Sequence, residues 1–243
     1  MKAKHLSYIL LALIIGFLIF VAYQKSTKNE NSNTSSIITI HSMPTENTNW
    51  INNEITAIES QTPNLDREAL KMSLIAYENA KKKGLINNPL LIIVDYSKPS
   101  CERRLWVVDP TTNKVLFNTW VAHGKNSGNV TASSFSNRPE SLKSSIGVFV
   151  TGDIYSGKHG DSLRVYGLES GFNDEAYSRS IVFHGADYVS ASIASTGRIG
   201  RSWGCWAVSQ NIIGSLIQTI KHKALLVAYY PDKNWLTKST FLH

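Results

Sequence analysis

Short segments rich in β-branched and aromatic residues dominate the sequence after Pro89, and turn-forming residues separate them. This pattern favours strands, which are predicted at 90–96, 105–108, 115–121, 147–151, 163–166, 180–184 and 224–230. Between them, helical spacing recurs at 209–221, without the regular strand–helix alternation of a doubly wound parallel sheet. The sequence therefore predicts a mainly β fold with short helices.

The N-terminus carries the features of an export signal. Lys2 and Lys4 precede an apolar run at 8–23, and positive charge before such a run favours a cytoplasmic start and an exported remainder. The run is slightly shorter than the roughly 20 residues that span a bilayer, and no clear cleavage site follows it. We therefore expect residues 1–24 to be a cleaved signal peptide or an anchor that holds residues 6–23 in the inner membrane. The rest of the chain is expected in the periplasm or cell envelope.

The remaining chain divides by composition into four regions. Asn, Ser, Thr and Lys dominate the first, and Leu70, Leu74 and Tyr77 recur at helical spacing in the second. The regions are a flexible polar tether at 25–48, a helical approach segment at 49–88, a β-rich domain at 89–232 and a C-terminal tail at 233–243. One domain with appendages is the natural expectation for 243 residues.

The formal net charge of +7 raises the question of a nucleic-acid partner. Lys and Arg residues are scattered, however, and no basic stripe interleaves with aromatic residues, so no nucleic-acid binding is expected. The His residues are dispersed, and the sequence contains neither an HExxH nor a CxxC pattern. Because such spacing marks many metal sites, we predict no metal and no cofactor.

The stretch at 181–208 holds the strongest candidate for chemistry. A predicted strand ends in His184-Gly185, and a glycine-studded loop leads to Cys205. A cysteine nucleophile needs a thiolate, close approach of the backbone to substrate and a base within reach. Gly204 removes a side chain next to Cys205, so that nearby backbone amides can face a developing oxyanion. The pattern predicts a thiol nucleophile with His184 as its base.

Four other interpretations of these residues are open. A cysteine among Trp and Ala residues is often a small buried hydrophobe, and a His before Gly is often a turn residue. Export permits a disulfide between Cys101 and Cys205. The match of 200–204 to G-x-S-x-G suggests a serine hydrolase, but only Asp232 and His243 follow in the required order. A count of free thiols separates the disulfide from a reactive cysteine.

Several motifs in this order resemble the L,D-transpeptidases of bacterial peptidoglycan, in particular the murein L,D-transpeptidase catalytic-domain family. The motifs are His184-Gly185, Ser202-Trp203-Gly204-Cys205 and the upstream segments at 121–128, 134–137 and 157–160. The likeness extends over most of the part that follows the signal segment. It implies an L,D-transpeptidase-like β-sandwich or barrel-like catalytic core preceded by an N-terminal helical segment.

The resemblance implies a cysteine acyltransferase. Cys205 would be the nucleophile and His184 the general base and acid, with the Gly185 carbonyl orienting the imidazole. Backbone amides around Trp203 and Gly204 would hold the tetrahedral oxyanion. The family more often has His where Trp203 stands, which is expected to alter binding rather than abolish the chemistry.

The substrate implied by the resemblance is the peptidoglycan stem peptide. Cleavage between its L-diamino acid centre and the terminal D-Ala would give 3-3 cross-links or trimmed tetrapeptides, and a carbapenem would be the matching inhibitor. The candidate substrate-binding residues are Arg201, Ser202, Arg198, Tyr188 and His123. A guanidinium fork suits the carboxylates of such a peptide. This branch of the family often has Pro where Trp206 stands, and Cys101 is given no role.

Two other functions compete with an active transpeptidase. A catalytically impaired wall-binding domain would keep the fold and lose competence through Trp203, in which case Cys205 would be unreactive. A different thiol peptidase or a sortase-like transpeptidase would also depend on the thiol but would cleave ordinary L-peptides. The reactivity of Cys205 and the stereochemistry of the substrate separate the three.

Overall fold

The computed structural model describes residues 45–243. The strands of this part are β1 (Leu91–Asp95), β2 (Leu105–Asp109), β3 (Lys114–Thr119), β4 (Gly147–Gly157), β5 (Gly160–Gly167), β6 (Val182–Ala186), β7 (Trp206–Ser209) and β8 (Leu225–Tyr229). The helices are α1 (Thr45–Glu59), α2 (Arg67–Lys82), α3 (Ala191–Ala194), α4 (Gln210–Ile220) and α5 (Lys233–Lys238), with a 3-10 turn at Asp174–Ala176. The predicted mainly β fold with short helices is confirmed.

The strands of residues 45–243 form one sheet in the order β3-β2-β1-β8-β4-β5-β6-β7. The pairs β1–β8 and β6–β7 are parallel, and the other neighbouring pairs are antiparallel. The chain that follows β3 meets the opposite edge of the sheet, where Ala122 N donates to Ala207 O and Ser202 N donates to His123 O, each at 2.9 Å. The sheet is therefore nearly closed into a barrel, and β6 and β7 lie beside the closure.

The core lies at the centre of the sheet, where every residue of β1 and β8 is buried. Helix α2 packs on these two strands and buries Leu70 and Leu74, as their helical spacing predicted. Asp66 caps its start, because the carboxylate accepts a hydrogen bond from Ala69 N at 2.9 Å. The centre of the domain is thus a helix-covered parallel pair of strands.

Strand β7 was not predicted from the sequence. It is four residues long and follows a loop of glycines and polar residues, so local pattern favours no strand there. Pairing with β6 holds it extended, and the fully buried Trp206 packs between Phe149 and Phe183 at ring-centroid distances of 5.0 and 5.3 Å. Trp206 therefore fills the core under the strand.

The N-terminal boundaries are only partly covered by the described residues. Helix α1 begins at Thr45, so the predicted tether at 25–48 overlaps it at residues 45–48. The rest of that tether and the predicted signal peptide or anchor at 1–24 lie outside the described residues. Among residues 45–243, none of the helices is long and apolar enough to cross a membrane.

The predicted C-terminal tail at 233–243 is in fact part of the packed domain. It forms α5, and Trp235, Phe241 and Leu242 are buried. Trp235 Nε1 donates to Glu169 Oε2 at 2.9 Å, and the same carboxylate accepts from Val148 N at 2.7 Å and from the Ser239 hydroxyl. A short run with three large apolar side chains has little pattern of its own, but burying them offsets the entropy of ordering the segment.

Replacing Trp235 by alanine should cost about 3–5 kcal/mol of unfolding free energy, because it leaves a large cavity in the core. Trp235→Phe should cost about 1–3 kcal/mol, since most of the volume stays but the buried Glu169 loses one donor. Urea unfolding of the full chain, followed by circular dichroism, measures both values. Equal midpoints for wild type and Trp235→Ala would show that the C-terminal segment does not pack on the sheet.

Candidate active site

Cys205, which immediately precedes β7, and His184 on β6 lie on the same face of the sheet. His184 on β6 is opposite Ala207 on β7, and Cys205 precedes Ala207 by two positions. Because side chains alternate along extended chains, Cys205 and His184 project from one face of the sheet. Both line a single cavity of about 410 Å³. The structure thus brings together the two residues that the sequence singled out.

His184 is held with one ring nitrogen occupied and the other available. Its side chain is buried, and Nδ1 lies 2.8 Å from Gly185 O. A carbonyl only accepts, so Nδ1 carries the hydrogen and Nε2 is left as the basic nitrogen. Burial, together with the ring of His159 stacked at 4.5 Å, lowers the pKa of His184. The imidazole is therefore neutral at neutral pH, the form that a general base requires.

The Cys205 thiol is protonated in the resting site. Its Sγ lies 3.6 Å from Ser180 O, and burial raises the pKa of the thiol. The backbone N–H of Val182 and the guanidinium of Arg179 oppose that rise, because both stabilise the thiolate. A neutral thiol that shares a cavity with a neutral imidazole would have to lose its proton before or during any attack by the sulfur.

Both cysteines of the described chain are free. Cys101 packs in a small separate cluster, where its carbonyl accepts from Trp120 Nε1 at 2.8 Å. Cys205 packs against the main core. The structure therefore has no disulfide between these two residues, and the Cys205 thiol remains for chemistry.

The loop before Cys205 needs glycine at position 204. Gly204 has φ +123°, and a Cβ there would lie 2.7 Å from Lys143 O. Its N–H donates to Ser202 Oγ at 3.1 Å, while the Ser202 hydroxyl donates to Cys205 O at 2.7 Å. Ser202, predicted to bind substrate, lines the cavity, and its hydroxyl also holds the loop. The Gly204 amide, predicted to face an oxyanion, is already engaged, which leaves the amides of Trp203 and Cys205 as candidates.

Arg179 is a site residue that the sequence reasoning missed. Its guanidinium lines the cavity and donates to Ser136 O and Lys143 O, each at 2.7 Å, and to the hydroxyls of Ser145 and Ser141. No carboxylate among residues 45–243 pairs with it, and burial lowers its pKa. Arg179 therefore ties the segment at 136–145 to the cavity and places an uncompensated positive charge beside Cys205.

Replacing Arg179 by glutamine should raise the pKa of the Cys205 thiol and slow its alkylation at neutral pH by about 10-fold, which corresponds to roughly 1.4 kcal/mol. Arg179→Lys should give a Cys205 pKa and an alkylation rate between those of wild type and Arg179→Gln. Lysine keeps the positive charge but lacks the planar guanidinium. Iodoacetamide alkylation across pH, in a Cys101→Ser background, measures the thiol pKa. An unchanged alkylation profile in a folded Arg179→Gln protein would contradict the electrostatic role.

Three of the other predicted residues line the cavity. Tyr188 is half-buried there, and burial beside Cys205 raises its pKa to about 12. Arg201 is exposed and donates through Nη1 to Lys125 O and Gly128 O, both at 3.0 Å. Trp203 is 71% exposed, with the ammonium of Lys125 5.9 Å from its ring centre. These side chains form one rim of the cavity.

The structure does not place Arg198 or His123 at the cavity. Arg198 is exposed on the loop after α3 and is not among the cavity residues. His123 is fully buried: Nδ1 lies 2.8 Å from Arg104 Nη2, and burial and that guanidinium lower its pKa to about 4. Both residues were predicted from their positions in the sequence, but packing decided where their side chains point.

The opposite rim of the cavity comes from the hairpin between β4 and β5. Tyr155, Lys158 and His159 line it. The segment at 157–160 was noted as similar to the family, yet no residue of it was given a role. Its Gly-Lys-His-Gly order indicates a tight turn, and only the fold shows that the turn reaches His184. Within residues 45–243, no group of three His, Cys, Asp or Glu side chains could hold a metal ion.

The domain is therefore a nearly closed β-sheet with a cavity that contains a free cysteine and a neutral histidine. The L,D-transpeptidase catalytic domain matches residues 61–229. That match covers more than half of the chain, and the chain belongs to this family.

Solved structures similar to this chain include three related proteins, each with a TM-score of 0.37. They are an L,D-transpeptidase from Mycobacterium smegmatis (14% identity), the LD transpeptidase LdtMt1 in complex with imipenem (16%) and Bd1075 from Bdellovibrio bacteriovorus (15%). The matches cover 58%, 58% and 60% of this chain and 59%, 59% and 49% of those chains. This chain therefore spans between half and three-fifths of their length. Comparison with curated protein sequences gives no match.

Proposed function

We propose that this protein is an exported L,D-transpeptidase that acts on peptidoglycan stem peptides in the periplasm or cell envelope. Membership of the L,D-transpeptidase catalytic-domain family supports the reaction class. The export signal at residues 1–24 supports the location, because the substrate lies outside the cytoplasm. Whether that segment is cleaved or anchors the protein in the membrane does not change the chemistry.

The observation that carries the proposal is the shared cavity of Cys205 and His184, in which Gly185 O occupies Nδ1 and leaves Nε2 basic. In the proposed reaction, Cys205 Sγ attacks the carbonyl carbon of the L-diamino acid as its proton passes to His184 Nε2. The tetrahedral intermediate collapses, its C–N bond breaks, and His184 returns the proton to the amine of the leaving D-Ala. A thioester on Cys205 remains.

Two acceptors can resolve the thioester. The amine of a second stem peptide attacks it to form a 3-3 cross-link, whereas water releases a trimmed stem. The cavity rim offers Arg201 as the guanidinium for a stem carboxylate, since its fork is only partly used by backbone carbonyls. The Trp203 and Cys205 amides are proposed to hold the oxyanion, an interaction worth roughly 3 kcal/mol per donor in acyl transfer.

The test is acylation of the full chain, purified in detergent, by a carbapenem. Ring opening adds the whole mass of the inhibitor, so intact-mass spectrometry should show one adduct per chain, and peptide mapping should place it on Cys205. Cys101→Ser is the matched control and should acylate at the wild-type rate. A disaccharide-tetrapeptide should then release D-Ala.

The same experiment separates the competing functions. A chain with a free Cys205 thiol that forms no adduct and releases no D-Ala would point to a wall-binding domain. Thiol-dependent cleavage of peptides built only from L-residues would point to another kind of thiol peptidase or a sortase-like enzyme. Either result would overturn the proposed function.

A further inference from the structure

An exposed stack of planar side chains lies beside the catalytic cavity. The rings of Tyr166 and Tyr177 are 5.2 Å apart and nearly parallel, at 12°, and are 40% and 51% exposed. The guanidinium carbon of Arg164 lies 4.3 Å from the ring centre of Tyr155 and 5.5 Å from that of Tyr177. These four residues, Tyr155, Arg164, Tyr166 and Tyr177, are called the tyrosine–arginine surface below.

The tyrosine–arginine surface is continuous with the cavity. Ser162, Arg164 and Tyr166 are alternate residues of β5, so their side chains share one face of the sheet. Tyr155 on β4 is opposite Ser162 in the register, and both residues line the cavity. One face of β5 therefore leads from the catalytic cavity to the exposed tyrosines.

The surface also lies at a defined separation from the nucleophile. Arg164 is opposite Val182 on β6, whose backbone N–H lowers the pKa of the Cys205 thiol. Strands β5, β6 and β7 are neighbours in the sheet. Two strand spacings of about 4.8 Å place the β5 backbone at Arg164 about 10 Å from the chain that carries Cys205.

Packing does not account for this arrangement. Tyr166 and Tyr177 keep much of their apolar area in water, where stacked rings gain little from the core. Within residues 45–243, the Arg164 side chain makes no ion pair and no hydrogen bond, so its planar donors are available. Gly152 makes room for the stack, because a Cβ there would lie 2.7 Å from the Tyr166 ring. The surface is a flat aromatic platform with a free guanidinium.

We propose that the tyrosine–arginine surface binds a sugar ring of the peptidoglycan glycan strand. This proposal rests on the proposed function, since the glycan is the part of that substrate joined to the stem. The C–H groups of a pyranose face carry partial positive charge and suit the negative face of a tyrosine ring. The guanidinium of Arg164 donates to sugar hydroxyl or acetamide oxygens.

The geometry favours the glycan over a second stretch of stem peptide. The attacked carbonyl belongs to the third stem residue, and three extended residues span about 10 Å at roughly 3.3 Å each. That length is of the same order as the separation between the backbone at Arg164 and the chain at Cys205. A stem held with its third residue at the nucleophile thus places its sugar on the platform.

The test compares a disaccharide-tetrapeptide with the same tetrapeptide without sugar, using the full chain. Tyr177→Ala should raise the KM for the sugar-bearing substrate about 10-fold with kcat unchanged, and should leave the free tetrapeptide unaffected. Arg164→Met should act in the same direction. Leu116→Ala is the matched control, because Leu116 is an equally exposed apolar residue on β3 and should alter neither substrate.

Equal losses on both substrates, or no loss on either, would overturn the proposal. A second measurement does not need turnover: calorimetric titration with peptide-free oligomers of N-acetylglucosamine. Binding by wild type and Leu116→Ala, with at least 10-fold weaker binding by Tyr177→Ala, supports the glycan site even if no D-Ala is released. Absence of binding by a wild-type chain that does release D-Ala overturns the glycan site and leaves the proposed function standing.

Discussion

Cys205→Ala is expected to abolish both the carbapenem adduct and the release of D-Ala, because it removes the atom that forms the thioester. The fold should tolerate the change, since alanine is smaller and the thiol makes one weak contact, 3.6 Å from Ser180 O. Intact-mass spectrometry after incubation with the inhibitor measures the adduct. Chromatography of muropeptides measures D-Ala release.

Cys101→Ala provides the matched control for that experiment. Cys101 is also a free, partly buried thiol, but it lies in a separate cluster outside the cavity. It should keep wild-type acylation and turnover. Persistence of the adduct in Cys205→Ala, or its loss in Cys101→Ala, would assign the nucleophile to the wrong cysteine.

His184→Ala is expected to slow acylation of Cys205 by about 10²–10⁴-fold at neutral pH. In the proposed mechanism the neutral imidazole takes the thiol proton as sulfur attacks, and burial keeps the thiol pKa above its ordinary 9.0. Without His184 the rate depends on the small thiolate fraction. Stopped-flow measurement of the fall in carbapenem absorbance gives the acylation rate constant.

The pH profile gives His184 a distinct signature. Burial and His159 lower its pKa below the ordinary 6.5, so the wild-type rate should fall only as the pH drops below that value. In His184→Ala this acidic limb should disappear, and the rate should rise with pH through the raised pKa of Cys205. A His184→Ala profile that keeps the wild-type acidic limb would show that another group is the base.

His159→Ala serves as a comparison for the base assignment. Removing the ring stacked at 4.5 Å opens His184 to water and removes the electrostatic effect by which His159 lowers the pKa of His184. Both changes raise the pKa of His184, so the acidic limb should move to higher pH while the base remains. A shifted acidic limb in His159→Ala would show that His159 only tunes the pKa of His184. A lost limb in His184→Ala would show that His184 itself takes the proton.

Strand length and a continuous β-type residue pattern, rather than burial alone, decided which strands could be predicted. Strands β1 and β8 are buried along their whole length, and their continuous apolar runs made them visible in the sequence. Strand β7 was missed because it has four residues and is extended by pairing with β6. The tail at 233–243 was misassigned because Trp235 is buried through partners far away in the chain, above all Glu169.

The candidate site residues likewise divide into those that a local sequence pattern indicates and those that only packing brings to the cavity. The sequence singled out Cys205, His184 and Gly204, and the structure brings Cys205 and His184 to one cavity with close backbone approach at Gly204. Arg179 was missed, since an arginine in a polar turn has no pattern that foretells four partners between positions 136 and 145. Arg198 and His123 were misplaced because spacing along a loop carries no information on side-chain direction.

The sequence by itself determined the mainly β class, the Cys205–His184 pair and the resemblance to the L,D-transpeptidases, because all three depend on local residue pattern and motif order. The tertiary structure decided which side chains meet at the nucleophile, namely Arg179, His159 and the hairpin that carries Tyr155. It also decided the protonation of the site: burial sets both pKa directions, and burial arises only when distant strands close around the cavity.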